Sequence, residues 1–114
     1  MIEILMLLFT TPVQHRNTER ALLLAKSFSE AGDKVYVFLL GDGVYNGSSA
    51  LISGEPAEAA AQLLSLPSVT VTACTTCVKA RGISLSPRVS AGGLDDLSEQ
   101  LERCDTAISL TSEA

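Results

Sequence analysis

Residues 2–9 read Ile-Glu-Ile-Leu-Met-Leu-Leu-Phe, an apolar run of strand length interrupted only by Glu3. A nearly continuous apolar strand is typical of a parallel sheet that helices cover on both faces. The run has no basic residue before it and no small-residue cleavage site after it, so it does not resemble an export signal. It is also too short to span a bilayer, and no membrane association is expected. We therefore predict a buried strand at Ile2–Phe9.

Helix and strand signals alternate along the rest of the chain. The predicted helices span Asn17–Ala31, Pro56–Leu64, a short stretch from Cys74 to Gly82, and Leu94–Arg103. The further predicted strands are Val35–Leu40, Val69–Ala73, a weak one at Ile83–Val89, and Thr106–Leu110. Strands that alternate with helices form right-handed βαβ units. The sequence thus predicts one domain over residues 1–114, a three-layer α/β/α fold with an open, mainly parallel sheet of about five strands.

Composition excludes several classes of protein. The net charge of -5 and the scattered basic residues argue against nucleic acid as a partner, because phosphate binding needs clustered Lys and Arg. The three cysteines are too few and odd in number for a disulfide framework. A reducing, cytoplasmic location is therefore expected.

The carboxyl ends of the predicted strands define one candidate site. Ligands in open parallel sheets bind beyond those ends. Thr10–Asn17 and Gly41–Ser49 follow the first two strands, and Cys74 follows the third, so all three should share one rim. Cys104 precedes the last strand and belongs to the opposite rim, roughly 17–20 Å away for a strand of this length.

Cys74-Thr75-Thr76-Cys77 forms a CxxC motif where a strand gives way to a helix. The unpaired N–H groups and partial positive charge of a helix amino terminus stabilise a thiolate, which is the nucleophilic form of cysteine. Cys77 follows one helical turn later on the same face and could resolve an adduct on Cys74 as a disulfide.

Other interpretations of the cysteines stay open at this point. A structural zinc site needs four ligands, and only Cys104 and His15 remain as further cysteine or histidine candidates, so no metal is expected. Buried, inert cysteines are common in protein cores. A thioredoxin-like protein carries CxxC after its first strands and usually has a Trp nearby, which this chain lacks. No cofactor is predicted.

The remaining candidate residues have weaker signals. His15 is either a proton donor on the rim or an ordinary solvated loop histidine. Gly41 and Gly43 could bind an anion through backbone N–H groups, although Gly-x-Gly alone is a weak motif. Arg81 either attracts an anionic sulfur donor or, with Lys79, complements the end of a short helix that Gly82 closes.

Three stretches carry a family resemblance in the right order along the chain. They are Gly43-Val44-Tyr45-Asn46, Cys74 through Arg81-Gly82, and Leu101–Leu110 with Cys104-Asp105. Together they resemble the DsrE/TusD sulfur-relay proteins: the GVYN segment after the second strand, the active-cysteine helix, and the closing helix and strand.

The resemblance implies a DsrEFH-like fold and sulfur transfer through a persulfide on Cys74. It also implies a homo-oligomer, trimer or hexamer, that works with sulfur donor and acceptor proteins, with Tyr45 among the supporting residues. Cys77 is not part of the TusD pattern, so a dithiol–disulfide redox protein that uses Cys74 and Cys77 is the alternative. A third possibility is a non-catalytic oligomeric binding module.

Overall fold

The computed structural model describes residues 1–13, 16–50 and 55–111, with side chains described from residue 57 in the last range. Within these ranges the strands are β1 (Glu3–Leu8), β2 (Lys34–Leu39), β3 (Val69–Cys74), β4 (Val89–Gly92) and β5 (Thr106–Leu110). The helices are α1 (Asn17–Glu30), α2 (Glu55–Ser65), α3 (Thr75–Arg81) and α4 (Leu94–Arg103), with a 3-10 helix at Gly41–Gly47. None of these helices is long and apolar enough to cross a membrane.

The five strands form one parallel sheet in the order β4-β3-β2-β1-β5. Alternate residues of β1 point to opposite faces, as the pleat requires. Ile4, Met6 and Leu8 join α1 and α2 in one apolar cluster. Leu5 joins a second, smaller cluster on the other face, where Leu97 of α4 packs. The predicted α/β fold with a parallel sheet of about five strands is confirmed.

The predicted strand at Ile83–Val89 is wrong, and β4 is instead the four-residue Val89–Gly92. The segment before it pairs with the loop after β2: Ser86 N–H donates to the Gly47 carbonyl at 2.8 Å, and Ser49 N–H donates to the Ser84 carbonyl at 2.9 Å. Pro87 has no N–H to give to a sheet ladder. Because the backbone groups of Ser84 and Ser86 already form hydrogen bonds with that loop, this segment cannot extend a strand alongside β3.

The Gly43–Asn46 segment packs its backbone onto the end of β1. A Cβ at Gly43 would lie 1.8 Å from the carbonyl oxygen of Leu8, so only glycine fits there. Val44 and Asn46 are buried. The Asn46 side-chain amide donates to the carbonyls of Thr10 and Gly43, at 3.0 and 2.9 Å. These contacts fix the loops after β1 and β2 beside one another at the carboxyl rim.

Candidate functional site at Cys74

Cys74 is both the last residue of β3 and the residue that precedes the first turn of α3. Its Cα is paired with Gly92 of β4. The side chain is 6% exposed and belongs to the small apolar cluster with Leu5 and Phe38. The sequence prediction of a cysteine between a strand and a helix at the carboxyl rim agrees with this position.

The environment of Cys74 favours its thiolate. Burial by itself raises the pKa of the thiol, but four favourable interactions outweigh that effect and lower the pKa below its ordinary value. In order of size they are the backbone N–H and then the side chain of Cys77, the backbone N–H of Thr76, and the positive charge of Arg81. Because the thiolate is the reactive form of cysteine, these surroundings favour nucleophilic reactivity at Cys74.

Cys77 links Cys74 to the loop after β2. Its side chain is half-buried, and its Sγ accepts a hydrogen bond from the backbone N–H of Gly41 at 3.3 Å. Gly41 has φ of +54°, a conformation that side-chain-bearing residues rarely adopt. The Gly-x-Gly loop therefore contacts the second cysteine of the motif, a contact that the sequence did not predict.

Arg81 holds the other end of α3 against the same loop. Its guanidinium forms an ion pair with Asp42, with both Nε and Nη2 at 3.0 Å from Oδ1. Nη1 donates to the Cys77 carbonyl at 3.2 Å. Gly82 ends α3 in the left-handed conformation, as predicted. Arg81 thus fixes α3 relative to the loop, in addition to its electrostatic effect on Cys74.

A cavity of about 530 Å³ lies beside the cysteines rather than over them. Its lining residues come from the loops after β1 and β2: Thr11, Pro12, Val13, Asp42, Tyr45, Ser48 and Ala50. Tyr45 is the one exposed member of the Gly43–Asn46 segment and faces this cavity. Asp42 connects the cavity to the cysteine site because the same carboxylate holds Arg81.

The structure separates Cys104 from the other cysteines. It follows α4 and precedes β5 at the amino ends of the strands, so it lies on the opposite rim from Cys74. Burial raises the pKa of the Cys104 thiol, with help from the Glu3 and Asp105 carboxylates and against the effect of Arg103. The described residues contain no group of three or more side chains that could hold a metal ion.

The sequence did not predict the part of the site that β4 provides. Gly92, the last residue of β4, pairs with Cys74, and the Thr75 hydroxyl donates to the Gly92 carbonyl at 3.2 Å. In the sequence, the Gly92-Gly93 pair directly before a predicted helix was the feature that could have indicated this contact. His15 falls outside the described residues.

Comparisons with known proteins agree with this architecture. The sequence model of the DsrE/DsrF-like family matches residues 3–110. Among solved structures, the fold is similar to the YchN protein of E. coli, with a TM-score of 0.83 and 24% sequence identity over 96% of this chain and 100% of that chain. At that identity the structural likeness shows the fold alone. No curated protein matches the sequence.

Proposed function

The chain belongs to the DsrE/DsrF-like family, and we propose that it is an intracellular sulfur carrier that holds sulfane sulfur as a persulfide on Cys74. Family membership points to a role related to sulfur relay. The observation that carries the finer proposal is the environment of Cys74, where N–H groups and a positive charge lower the pKa of a thiol that burial would otherwise keep protonated.

The transfer step is a nucleophilic displacement at sulfur. The Cys74 thiolate attacks the outer sulfur of a donor persulfide, so that a new S–S bond forms while the donor S–S bond breaks. The electron pair of the broken bond leaves with the donor thiolate. The outer sulfur keeps its proton, and no net oxidation occurs. An acceptor thiolate later attacks the same outer sulfur and releases Cys74 as a thiolate.

Dithiol–disulfide exchange is the second candidate function, because Cys77 lies in the first turn of α3, which Cys74 precedes, and its side chain lowers the pKa of Cys74. In that chemistry the Cys77 thiolate attacks the inner sulfur of a Cys74 adduct. The adduct is a mixed disulfide that Cys74 forms with the disulfide of a partner protein, which releases one partner thiolate. Attack by Cys77 forms the Cys74–Cys77 disulfide and releases the second partner thiolate, so the partner disulfide is reduced to a dithiol.

Mass spectrometry after incubation with inorganic polysulfide distinguishes these functions. A mass gain of one sulfur atom on the Cys74 peptide supports the carrier, and loss of two hydrogen atoms across the Cys74–Cys77 peptide supports the redox protein. Cys74→Ser should abolish loading, whereas Cys104→Ser is the matched control and should load normally. An unreactive chain would support a non-catalytic binding module and refute both chemistries.

We also propose that the protein works as a homo-oligomer, a trimer or hexamer, with separate sulfur donor and acceptor proteins. The small number of charged residues at Ala50–Leu66 predicts leftover apolar surface there. In α2, Ala57, Ala59, Ala60 and Leu63 are buried within the chain, whereas Ala61 is exposed and Leu64 is half-buried. Exposed Val13 and Leu23, at 70% and 65%, support assembly better. Sedimentation at micromolar concentration tests this, and a monomer would refute it.

A further inference from the structure

Helix α4 presents leucines to solvent and buries a glutamine. Leu94 and Leu101 are 72% and 48% exposed, whereas Gln100 is only 8% exposed. The Gln100 Oε1 atom is buried and has no hydrogen-bond partner among the described residues. A helix that packs only against the core of its own chain is expected to bury its leucines and expose its glutamine.

The exposed leucines lie along one side of α4. Residues seven apart on a helix share a face, and half-buried Leu97 lies between them, so Leu94, Leu97 and Leu101 form a continuous stripe about 10 Å long. We name this stripe the leucine face. In the isolated chain the outer part of this stripe, Leu94 and Leu101, is exposed to solvent. Such exposure indicates that another molecule covers it.

The leucine face begins at the rim that holds Cys74. Helix α4 starts directly after Gly92 and Gly93, and Gly92 is the strand partner of Cys74. Leu97 packs against the apolar cluster that contains Cys74. A molecule seated on the amino-terminal end of the leucine face would therefore lie at the rim that holds Cys74.

The charges around the leucine face select the kind of partner. Each exposed leucine is followed by an exposed carboxylate, Asp95 and Glu102. The Arg103 guanidinium makes its contacts within the chain: it stacks on the Tyr36 ring at 4.6 Å and lies 3.8 Å from the Glu99 carboxylate. Pairing this face with the same face of a second copy would bring carboxylates against carboxylates, which is unfavourable.

We propose that the leucine face docks a sulfur-exchanging protein whose contact surface is apolar at its centre and surrounded by Lys and Arg. This inference rests on the proposed persulfide function of Cys74. The apolar contact supplies affinity and the charge pattern supplies orientation, so that the partner thiol meets the Cys74 persulfide.

Transfer of sulfur from the persulfide-loaded full chain to synthetic peptides tests the proposal. The probe peptide carries one cysteine followed by alternating leucine and lysine. Control peptides replace lysine by glutamate or leucine by serine, and dithiothreitol serves as a small acceptor. The leucine–lysine peptide should accept sulfur fastest, and its advantage should fall as salt is added.

Protein variants locate the effect on α4. Leu94→Ser and Leu101→Ser should each slow transfer to the leucine–lysine peptide about fivefold to tenfold and leave transfer to dithiothreitol unchanged. Ile2→Ser, directly before β1, removes an apolar side chain that is 43% exposed and lies outside α4 and the Cys74 rim, and it is the matched control.

The outcomes separate this inference from the proposed function. Normal transfer to dithiothreitol with no preference among the peptides would overturn the docking face alone. A change of sedimentation state in Leu94→Ser or Leu101→Ser would identify a contact between copies of this chain and also overturn it. Failure to load or release sulfur would overturn the proposed function, and this inference with it.

Discussion

Replacing Cys77 tests how the second cysteine of the motif serves the first. The Cys77 side chain favours the Cys74 thiolate, and its own sulfur is positioned by the Gly41 N–H at 3.3 Å. Cys77→Ala removes the side-chain donor, whereas Cys77→Ser keeps a donor of similar size. If Cys77 acts chiefly through this hydrogen bond, serine should replace it; if it acts chiefly as a resolving nucleophile, serine should not.

The expected magnitude follows from the strength of a hydrogen bond to a charged group. Such a bond contributes about 1.5 kcal/mol, and about 1.4 kcal/mol corresponds to one pKa unit. Cys77→Ala should therefore raise the pKa of Cys74 and, at a pH below that pKa, reduce its thiolate fraction by up to about tenfold. The more basic thiolate is also more nucleophilic, so the net loss of alkylation rate at about pH 6.5 is only about threefold.

The pH profile of alkylation is the appropriate assay, because it reports the pKa rather than a single rate. Iodoacetamide labelling is followed by peptide mass spectrometry in a Cys104→Ser background, where Cys104 cannot contribute. The Cys77→Ala profile should move to higher pH, and the Cys77→Ser profile should stay near that of the parent. Equal shifts for alanine and serine, or no shift for either, would refute the proposed donor role.

The remaining predictions concern the loop, the ion pair and the third cysteine. Gly43→Ala should lower the free energy of unfolding by about 3 kcal/mol in urea denaturation, because the new Cβ meets the preceding strand backbone at 1.8 Å; a loss below about 0.5 kcal/mol would contradict this. Arg81→Gln should raise the pKa of Cys74, since a positive charge is removed, whereas Asp42→Asn should not raise it; the alkylation profile checks both, and a rise in the Asp42→Asn variant would be inconsistent. Near neutral pH, Cys104 should be alkylated more slowly than Cys74, because the fold raises the pKa of the first thiol and lowers that of the second; peptide mapping that shows the reverse order would disprove the assignment.

The amino-acid pattern alone determined the fold class and the rim on which Cys74 lies. A strand as apolar as residues 2–9 needs helices on both faces, and alternating signals leave a parallel sheet as the arrangement that provides them. Parallel strands joined by helices all end at the same edge. The order strand–Cys74–helix therefore placed that cysteine beside the loop after β2 and put Cys104 at the opposite edge.

Tertiary structure decided which groups meet within that rim. The Gly41 N–H contact with Cys77 and the Arg81–Asp42 ion pair join residues 36 and 39 positions apart, and no local pattern records such pairs. The same holds for β4, whose place beside β3 depends on the preceding segment being bound by the loop after β2.

The rotation of α4 is the clearest case of a feature that only the tertiary structure shows. From periodicity, leucines on a helix are expected to face the sheet. The packed chain instead turns Gln100 inward and leaves Leu94 and Leu101 outside. Helix orientation is set by the fit of every side chain at the interface and by the connections at both ends of the helix. A periodic pattern identifies an apolar stripe but does not say whether its own sheet or another molecule covers it.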